Sequence, residues 1–140
     1  MNAKVKVFAN VNPTEVEEKV KKAILNFFQV SLELQDIEIP RLCGKGGLES
    51  LRRLHLRLRE ERVLDTARHL FINGMEGNTT RFRMNKQVAF IGKLNFPAGK
   101  ESLGSIEVEI SADTEDDLLT IIEWLAPHTE DGKPVLEIEL

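Results

Sequence analysis

Three hydrophobic patterns follow one another in the N-terminal part of the chain. Over residues 4–11 every second side chain is apolar, which predicts a β-strand with one buried face. Residues 13–28 then carry an apolar residue every three or four positions, which predicts a helix that packs on the sheet. Asn12 as N-cap and Pro13 at the first helical position favour the same helix start. Alternation returns over residues 30–39, which predicts a second strand.

The middle of the chain is predicted to be a loop followed by two helices. Residues 42–47 contain three glycines and are predicted to form a flexible connector. Residues 48–62 have leucines at helical spacing, although some of these leucines also alternate as in a strand. We favour the helix because Leu, Arg and Glu are strong helix formers and β-branched residues are absent. A second helix is predicted from Val63, with Gly74 ending it.

The C-terminal half is predicted to be mostly β-structure around one helix. Residues 79–96 resemble two strands joined near Asn85 and Lys86, and residues 104–112 a third strand, which together would form a β-meander. Asp113 or Thr114 would cap a helix that ends before Pro127. Alternation over residues 135–140 predicts a last strand. Residues 1–140 therefore form one domain of the α+β class, with a mainly antiparallel sheet and helices packed on one face.

Charge is distributed unevenly along this pattern. The formal net charge of −4 conceals a basic middle, residues 41–100, with 13 Lys and Arg against 5 Asp and Glu. Residues 101–140 have 1 Lys against 12 acidic residues. A basic block of this kind favours a polyanionic partner. The alternative is that the two blocks neutralise each other within the fold or across a dimer.

Composition narrows the classes of function. Cys43 is the only cysteine, so no intramolecular disulfide is possible, and no apolar run approaches the roughly 20 residues that span a bilayer. Because a secretory leader is also lacking, we expect a soluble cytoplasmic protein. His55, His69 and His128 lack the spacing of a zinc site. We predict no metal, cofactor, membrane contact or small-molecule substrate, and no catalytic residue.

A family resemblance covers essentially the whole chain. Its most specific part runs from Asn85-Lys86-Gln87 to Asn95-Phe96, and further similar passages are Asn12-Pro13-Thr14, residues 63–68 and Leu103-Gly104-Ser105-Ile106. In these passages the chain resembles the archaeal UPF0201 family of uncharacterised proteins, catalogued as predicted RNA-binding or exosome-associated. The resemblance implies a fold similar to that of the large-subunit ribosomal protein that binds 5S rRNA. It implies no catalytic residue.

The predicted RNA-binding residues come from the basic middle of the chain. Guanidinium groups bind phosphate through paired hydrogen bonds and stack on bases. The alternative is a solvated helix paired with the acidic C-terminal block. Arg52 and Arg59 would lie on one side of their helix and Arg53 and Arg57 on another. The predicted contacts are Arg52, Arg53, Arg57, Arg59, Arg81, Arg83, Lys86 and Lys93.

Two further features have a functional and a structural interpretation. The glycine-rich stretch Gly44-Lys45-Gly46-Gly47 could hold an anion at exposed amides before a helix, but it lacks the spacing of a P-loop and a connector is favoured. Phe82 and Phe90 could stack bases, but their apolar neighbours favour the core. We therefore predict a non-enzymatic RNA-binding accessory protein for RNA processing or the ribosome. The alternative is a protein-interaction module that forms a homodimer without nucleic acid.

Overall fold

The computed structural model describes residues 2–97 and 104–140. Lys100 and Glu101, which bound the two charge blocks, lie outside the described residues. Eight strands are described: β1 (Ala3–Asn10), β2 (Ser31–Gln35), β3 (Arg41–Gly46), β4 (Met75–Glu76), β5 (Thr79–Asn85), β6 (Ser105–Ala112), β7 (Thr129–Glu130) and β8 (Lys133–Pro134). The helices are α1 (Glu17–Leu25), α2 (Arg52–Glu60), α3 (Leu64–Asn73), α4 (Lys86–Phe90) and α5 (Glu115–Leu125).

Six strands form one antiparallel sheet in the order β2-β3-β1-β6-β5-β4. The first strand of the chain therefore lies inside the sheet, paired with β3 on one side and β6 on the other. Strands β7 and β8 form a separate hairpin. The hydrophobic alternation of β1 and β6 is explained by their central position, since the sheet has one buried face.

All the large helices pack on that buried face. Val5 and Val7 of β1, Ile106 of β6 and Met84 of β5 are at most 1% exposed, and they meet buried helix residues such as Phe71 in one core. Side chains that alternate with them point to the opposite face of the sheet. The predicted α+β class, with an antiparallel sheet and helices on one face, is confirmed.

Two predicted helices are confirmed with small changes at their ends. The leucine-rich segment is helical, as favoured, and begins with a 3-10 turn at Leu48–Leu51 before α2. Leu54 and Leu58 are fully buried while Leu56 is exposed, which excludes the alternating strand. The helix α5 begins after Thr114, whose hydroxyl accepts a hydrogen bond from the Asp117 amide at 3.1 Å.

The predicted start of the first helix was wrong. It begins at Glu17, because Asn12 and Glu15 form a turn before it: the Glu15 amide donates to the Asn12 carbonyl at 2.9 Å. The Glu15 carboxylate in turn accepts from the Asn12 amide and side chain at 3.0 and 2.8 Å. Asn12 thus binds a side chain and does not cap a helix.

The glycine-rich segment is also not a loop. Most of it forms β3, which lies between β1 and β2. A Cβ on Gly44 would stand 2.6 Å from Val30 Cγ2, and one on Gly46 would stand 2.7 Å from Ser50 Cβ. Glycine is present because neighbouring side chains pack directly against the backbone.

Only the first of the two strands predicted over residues 79–96 exists. Strand β5 ends at Asn85, whose side chain accepts a hydrogen bond from the Val88 amide at 2.9 Å and caps α4. The meander is therefore built from β4, β5 and β6. Lys93 lies in the segment after α4, where its amide donates to the Val88 carbonyl.

The predicted last strand was wrong as well. Residues 135–140 are not part of either described sheet. They run across α2 and α5, where Ile138 packs against the core and Leu136 is 68% exposed. The alternation does not follow burial, because Leu136 and Leu140 are 68% and 39% exposed and only Ile138 packs against the core.

Candidate nucleic-acid interface

Arg59 of α2 is committed to the fold. Its guanidinium donates to both oxygens of Glu137 at 2.6 and 2.8 Å and to the carbonyls of Trp124 and Leu125 at 3.1 and 3.0 Å. Arg59 lowers the pKa of Glu137 below its ordinary value, mainly through this hydrogen bonding. The contact joins the C-terminal tail to α2, and a phosphate would have to displace Glu137 to pair with Arg59.

The acidic C-terminal block and the basic middle thus meet within one chain. A second pair joins Arg68 of α3 to Glu123 of α5 at 2.5 Å. Burial raises the pKa of Glu123, but Arg68 and His128 together lower it further, so that it lies below its ordinary value. His55 stacks on Trp124 with 4.5 Å between ring centroids, and burial together with Arg59 and Arg52 lowers the pKa of the His55 imidazole.

The other arginines of α2 remain at the surface but divide between two sides of the helix. Arg53 donates to the Leu25 carbonyl at 2.6 Å, and Arg57 approaches Glu60 at 3.7 Å. Arg52 lies on the other side, near the C-terminal tail. The helix therefore does not present its arginines as one basic surface.

Lys86, another predicted RNA contact, is buried and only 4% exposed. Its ammonium donates to the Asn10 carbonyl at 2.7 Å and to Glu15 at 2.9 Å. Lys86 connects α4 to the turn before α1, a structural role. Lys93, in the segment after α4, is exposed.

Arg81 and Arg83 lie on the face of the main sheet opposite the helices, together with basic residues from other strands. We call this surface the open face. Its central strand is β1, with Phe8 near the middle. The open face consists of Lys4, Lys6, Phe8, Asn10, Ser31, Glu33, Gln35, Arg41, Cys43, Lys45, Glu76, Thr79, Arg81, Arg83, Asn85, Ser105, Glu107, Glu109 and Ser111.

The open face is basic. It has six Lys and Arg and four Glu, whereas the whole chain has a net charge of −4. Arg81 approaches Glu109 at 3.3 Å and Glu76 at 3.7 Å. Within residues 2–97 and 104–140, five of the basic side chains of the open face make no ion pair within 4.0 Å, and Arg81 is the one that does. These five are Lys4, Lys6, Arg41, Lys45 and Arg83.

Strand register arranges these charges in rows across the sheet. One row runs Lys45, Lys6, Glu109, Arg81 from β3 to β5. The next row runs Cys43, Phe8, Glu107, Arg83. Basic groups therefore stand toward both sides of the face, and carboxylates lie between them.

An aromatic ring lies in the centre of the open face. The Arg41 guanidinium carbon is 4.8 Å from the centroid of Phe8, and Gln35 Oε1 accepts from Arg41 Nε and Nη2 at 3.1 and 2.8 Å. Our sequence interpretation overlooked Phe8. The signal was present, because Phe8 follows Lys4 and Lys6 on the polar side of an alternating strand.

The two aromatic residues that the sequence did nominate lie elsewhere. Phe82 is 5% exposed and packs with Phe71 and Phe96, as favoured. Phe90 is half-buried on α4, with Lys19 and Lys22 at 5.7 and 5.2 Å from its centroid.

Neither a metal-ligand cluster nor a membrane-spanning helix is found in the described part of the chain. It contains no cluster of three or more His, Cys, Asp or Glu side chains that could hold a metal ion. None of its helices combines the length and the apolar composition needed to cross a bilayer.

Comparison with known proteins agrees with a nucleic-acid interface. A family model described as RNA binding matches residues 4–112. The chain is 43% identical to a UPF0201 protein of Methanosarcina acetivorans, covering 97% of this chain and 92% of the relative. It is 39% identical to one of Methanopyrus kandleri, covering 99% and 94%.

A solved structure shares the whole fold. The crystal structure of a UPF0201 protein from Methanococcus jannaschii has a TM-score of 0.83 and 38% identity, covering 95% of this chain and 99% of that one. The chain therefore belongs to the RNA-binding family that the model describes, and its relatives carry the name UPF0201. The family resemblance seen in the sequence is confirmed.

Proposed function

We propose that this protein binds RNA through the open face of its sheet and that it is not an enzyme. The observation that carries the proposal is that the sheet face left uncovered by the helices concentrates positive charge in a chain that is acidic overall. Phosphate contacts dominate the affinity of proteins for nucleic acid, and they require accessible Lys and Arg.

Availability favours the open face over Arg59 of α2 and Lys86 of α4. Lys6, Lys45 and Arg83 are free of ion pairs in the described residues, so binding a phosphate breaks no existing contact. Arg59 and Lys86, by contrast, would have to leave the carboxylates of Glu137 and Glu15. Of the sequence-predicted set, Arg81 and Arg83 lie on the open face, Arg53 and Arg57 lie on one side of α2 and Arg52 on the other, and Lys93 is exposed after α4.

Two matched triple variants test which surface binds. The open-face variant carries Lys6→Gln, Lys45→Gln and Arg83→Gln, and the helix variant carries Arg52→Gln, Arg53→Gln and Arg57→Gln. Each removes three positive charges. We expect the open-face variant to lose at least about 10-fold in affinity for a labelled single-stranded RNA of mixed sequence, because each lost phosphate contact also removes counterion release.

Fluorescence anisotropy across a salt series measures the difference. The slope of log affinity against log salt should become shallower by about 2 for the open-face variant, at roughly 0.7 per single-strand phosphate. The helix variant should keep the wild-type slope. Equal losses in both variants, or a loss in the helix variant alone, would reject the open face as the binding surface.

The cellular role stays a prediction from the family resemblance. We propose a cytoplasmic accessory protein for RNA processing or the ribosome, and exosome association belongs to the same prediction. The homodimeric scaffold also stays open, but it has less support: Glu137 and Glu123 already pair with Arg59 and Arg68 of the same chain. Their charges are therefore not left over for a second copy.

A further inference from the structure

We infer that the centre of the open face holds an unpaired nucleobase against the Phe8–Arg41 pair, so that the RNA bound there is single-stranded. This inference rests on the proposed function and specifies its ligand. A sheet that presents an aromatic ring among basic side chains is a general solution for single strands, because every base has a face that can stack.

The charge pattern distinguishes a base from a phosphate at this position. Glu107 is the direct neighbour of Phe8 across the β1–β6 pair, and Glu109 is two residues further along β6. Carboxylates repel phosphate, but they accept hydrogen bonds from the N–H groups on the edges of bases. The centre of the open face therefore suits a base, and its basic sides suit the backbone.

The spacing of the basic groups agrees with this arrangement. Three strand spacings separate Lys45 on β3 from the arginines Arg81 and Arg83 on β5. This is about 14 Å in a sheet with strands about 4.8 Å apart. The phosphates on either side of a splayed base can reach Lys45 on one side and Arg81 or Arg83 on the other while the base lies over β1.

Arg41 is held in place before any ligand arrives. Two of its nitrogens donate to Gln35 Oε1, and its guanidinium carbon lies 4.8 Å from the Phe8 centroid. A guanidinium stacks on bases as well as on aromatic rings. Because the side chain is already ordered, little rotamer entropy remains to be lost on binding.

The surface around Phe8 is concave. One depression of about 220 Å³ includes Phe8, Arg41, Ser105 and Glu107, and a second of about 340 Å³ shares Phe8 and Glu107 and extends to Arg83. Both are at or below the lower end of small-molecule pockets, roughly 300–1,000 Å³, and suit a planar group lying on the sheet. The hydroxyl oxygen of Ser105, which belongs to the first depression, is buried and has no hydrogen-bond partner in residues 2–97 and 104–140.

Two conservative substitutions test the stack. Phe8→Leu keeps an apolar side chain but removes the ring, and Arg41→Lys keeps the charge but removes the planar group. Phe90→Leu is the matched control, since Phe90 is also beside cations but lies on α4. The probes are one single-stranded RNA and the blunt duplex of the same sequence, titrated across salt by anisotropy.

We expect Phe8→Leu to weaken single-strand binding about 10-fold at every salt concentration, with an unchanged salt slope, because stacking releases no counterions. Arg41→Lys should weaken it several-fold, also without a change of slope. Duplex binding by both variants, and single-strand binding by Phe90→Leu, should match the wild type. Thermal unfolding of each variant establishes that it is folded.

The outcomes separate this inference from the proposed function. If wild-type protein binds RNA but neither Phe8→Leu nor Arg41→Lys weakens single-strand binding, the base site is wrong and the RNA-binding surface stands. If wild-type protein binds the duplex as tightly as the single strand, and the substitutions weaken both affinities equally, the base site is also wrong. If wild-type protein binds neither RNA at low salt, the proposed function fails and the inference fails with it.

Discussion

Replacing Lys86 with methionine is expected to lower the free energy of unfolding by about 3–5 kcal/mol, as measured by urea denaturation. The substitution removes the ammonium that is 2.9 Å from Glu15 and 2.7 Å from the Asn10 carbonyl, and it leaves the Glu15 carboxylate without its counter-charge in a half-buried turn. Breaking a buried ion pair from one side costs this much because the remaining charge is desolvated.

The double variant Lys86→Met with Glu15→Gln is the control for that expectation. With both charges gone, the decrease in the free energy of unfolding should be clearly smaller than the sum of the decreases caused by the two single substitutions. A double-mutant cycle measures this difference. Additive losses would show that the two side chains do not depend on each other.

The same pair predicts a pH dependence. Burial raises the pKa of Glu15, but Lys86 and Asn12 lower it further, so the folded-state pKa lies below the ordinary value of 4.5. The contribution to stability is therefore complete above pH 4.5 and is lost as the pH falls through the folded-state pKa. In Lys86→Met this part of the acid dependence should shrink.

Substituting Gly74 with alanine is expected to cost about 3 kcal/mol, at the upper end of overpacking penalties. Gly74 ends α3 against β5, and a Cβ there would stand 2.2 Å from the Arg81 carbonyl oxygen. Because that atom is backbone, the clash is relieved only by moving α3 away from the sheet. The Arg81 amide, which donates to the Gly74 carbonyl at 3.2 Å, would move with it.

Gly77→Ala is a matched control in the adjacent turn. A Cβ at Gly77 meets nothing within 4 Å, so its cost of about 1–2 kcal/mol would come from the positive φ of 62° alone. Thermal or urea unfolding of the two variants compares the costs. A loss at Gly74 no larger than that at Gly77 would contradict the close contact between α3 and β5.

The elements that the sequence predicted correctly are those whose environment repeats regularly along the chain. Strands β1 and β6 alternate because one face is buried along their whole length, and α5 combines an apolar stripe with a capping Thr114. The tail at residues 135–140 shows the limit of this reasoning. Leu136, Ile138 and Leu140 alternate with polar residues, but only Ile138 packs against the core, so alternation in sequence does not by itself establish a paired strand with one buried face.

Helix α4 was missed although a local signal was present. Asn85 has an N-capping side chain, but the following Val88 and Phe90 favoured a strand when considered by propensity alone. The glycine-rich β3 was missed for a tertiary reason. Gly44 is required by Val30, which approaches it from the neighbouring part of the fold, and no local pattern reveals that approach.

The candidate site, too, was only partly predictable from the sequence. The basic middle of the chain was visible from composition, but its partners were not, since Arg59 meets Glu137 and Lys86 meets Glu15 only after folding. Lys6 on β1 and Lys45 on β3 become neighbours through strand pairing between distant segments. Sequence alone therefore predicted the basic character of the chain's middle better than it predicted which basic side chains stay unpaired.

The central claim is that RNA contacts the open face, and an amide chemical-shift map tests it most directly. At 15.9 kDa the protein is small enough for residue-by-residue assignment by NMR. On titration with a short single-stranded RNA, we expect the shifts to concentrate in β1, β3, β5 and β6, around Phe8, Arg41 and Arg83. Shifts confined to α2 and the C-terminal tail, with the sheet unchanged, would contradict the account.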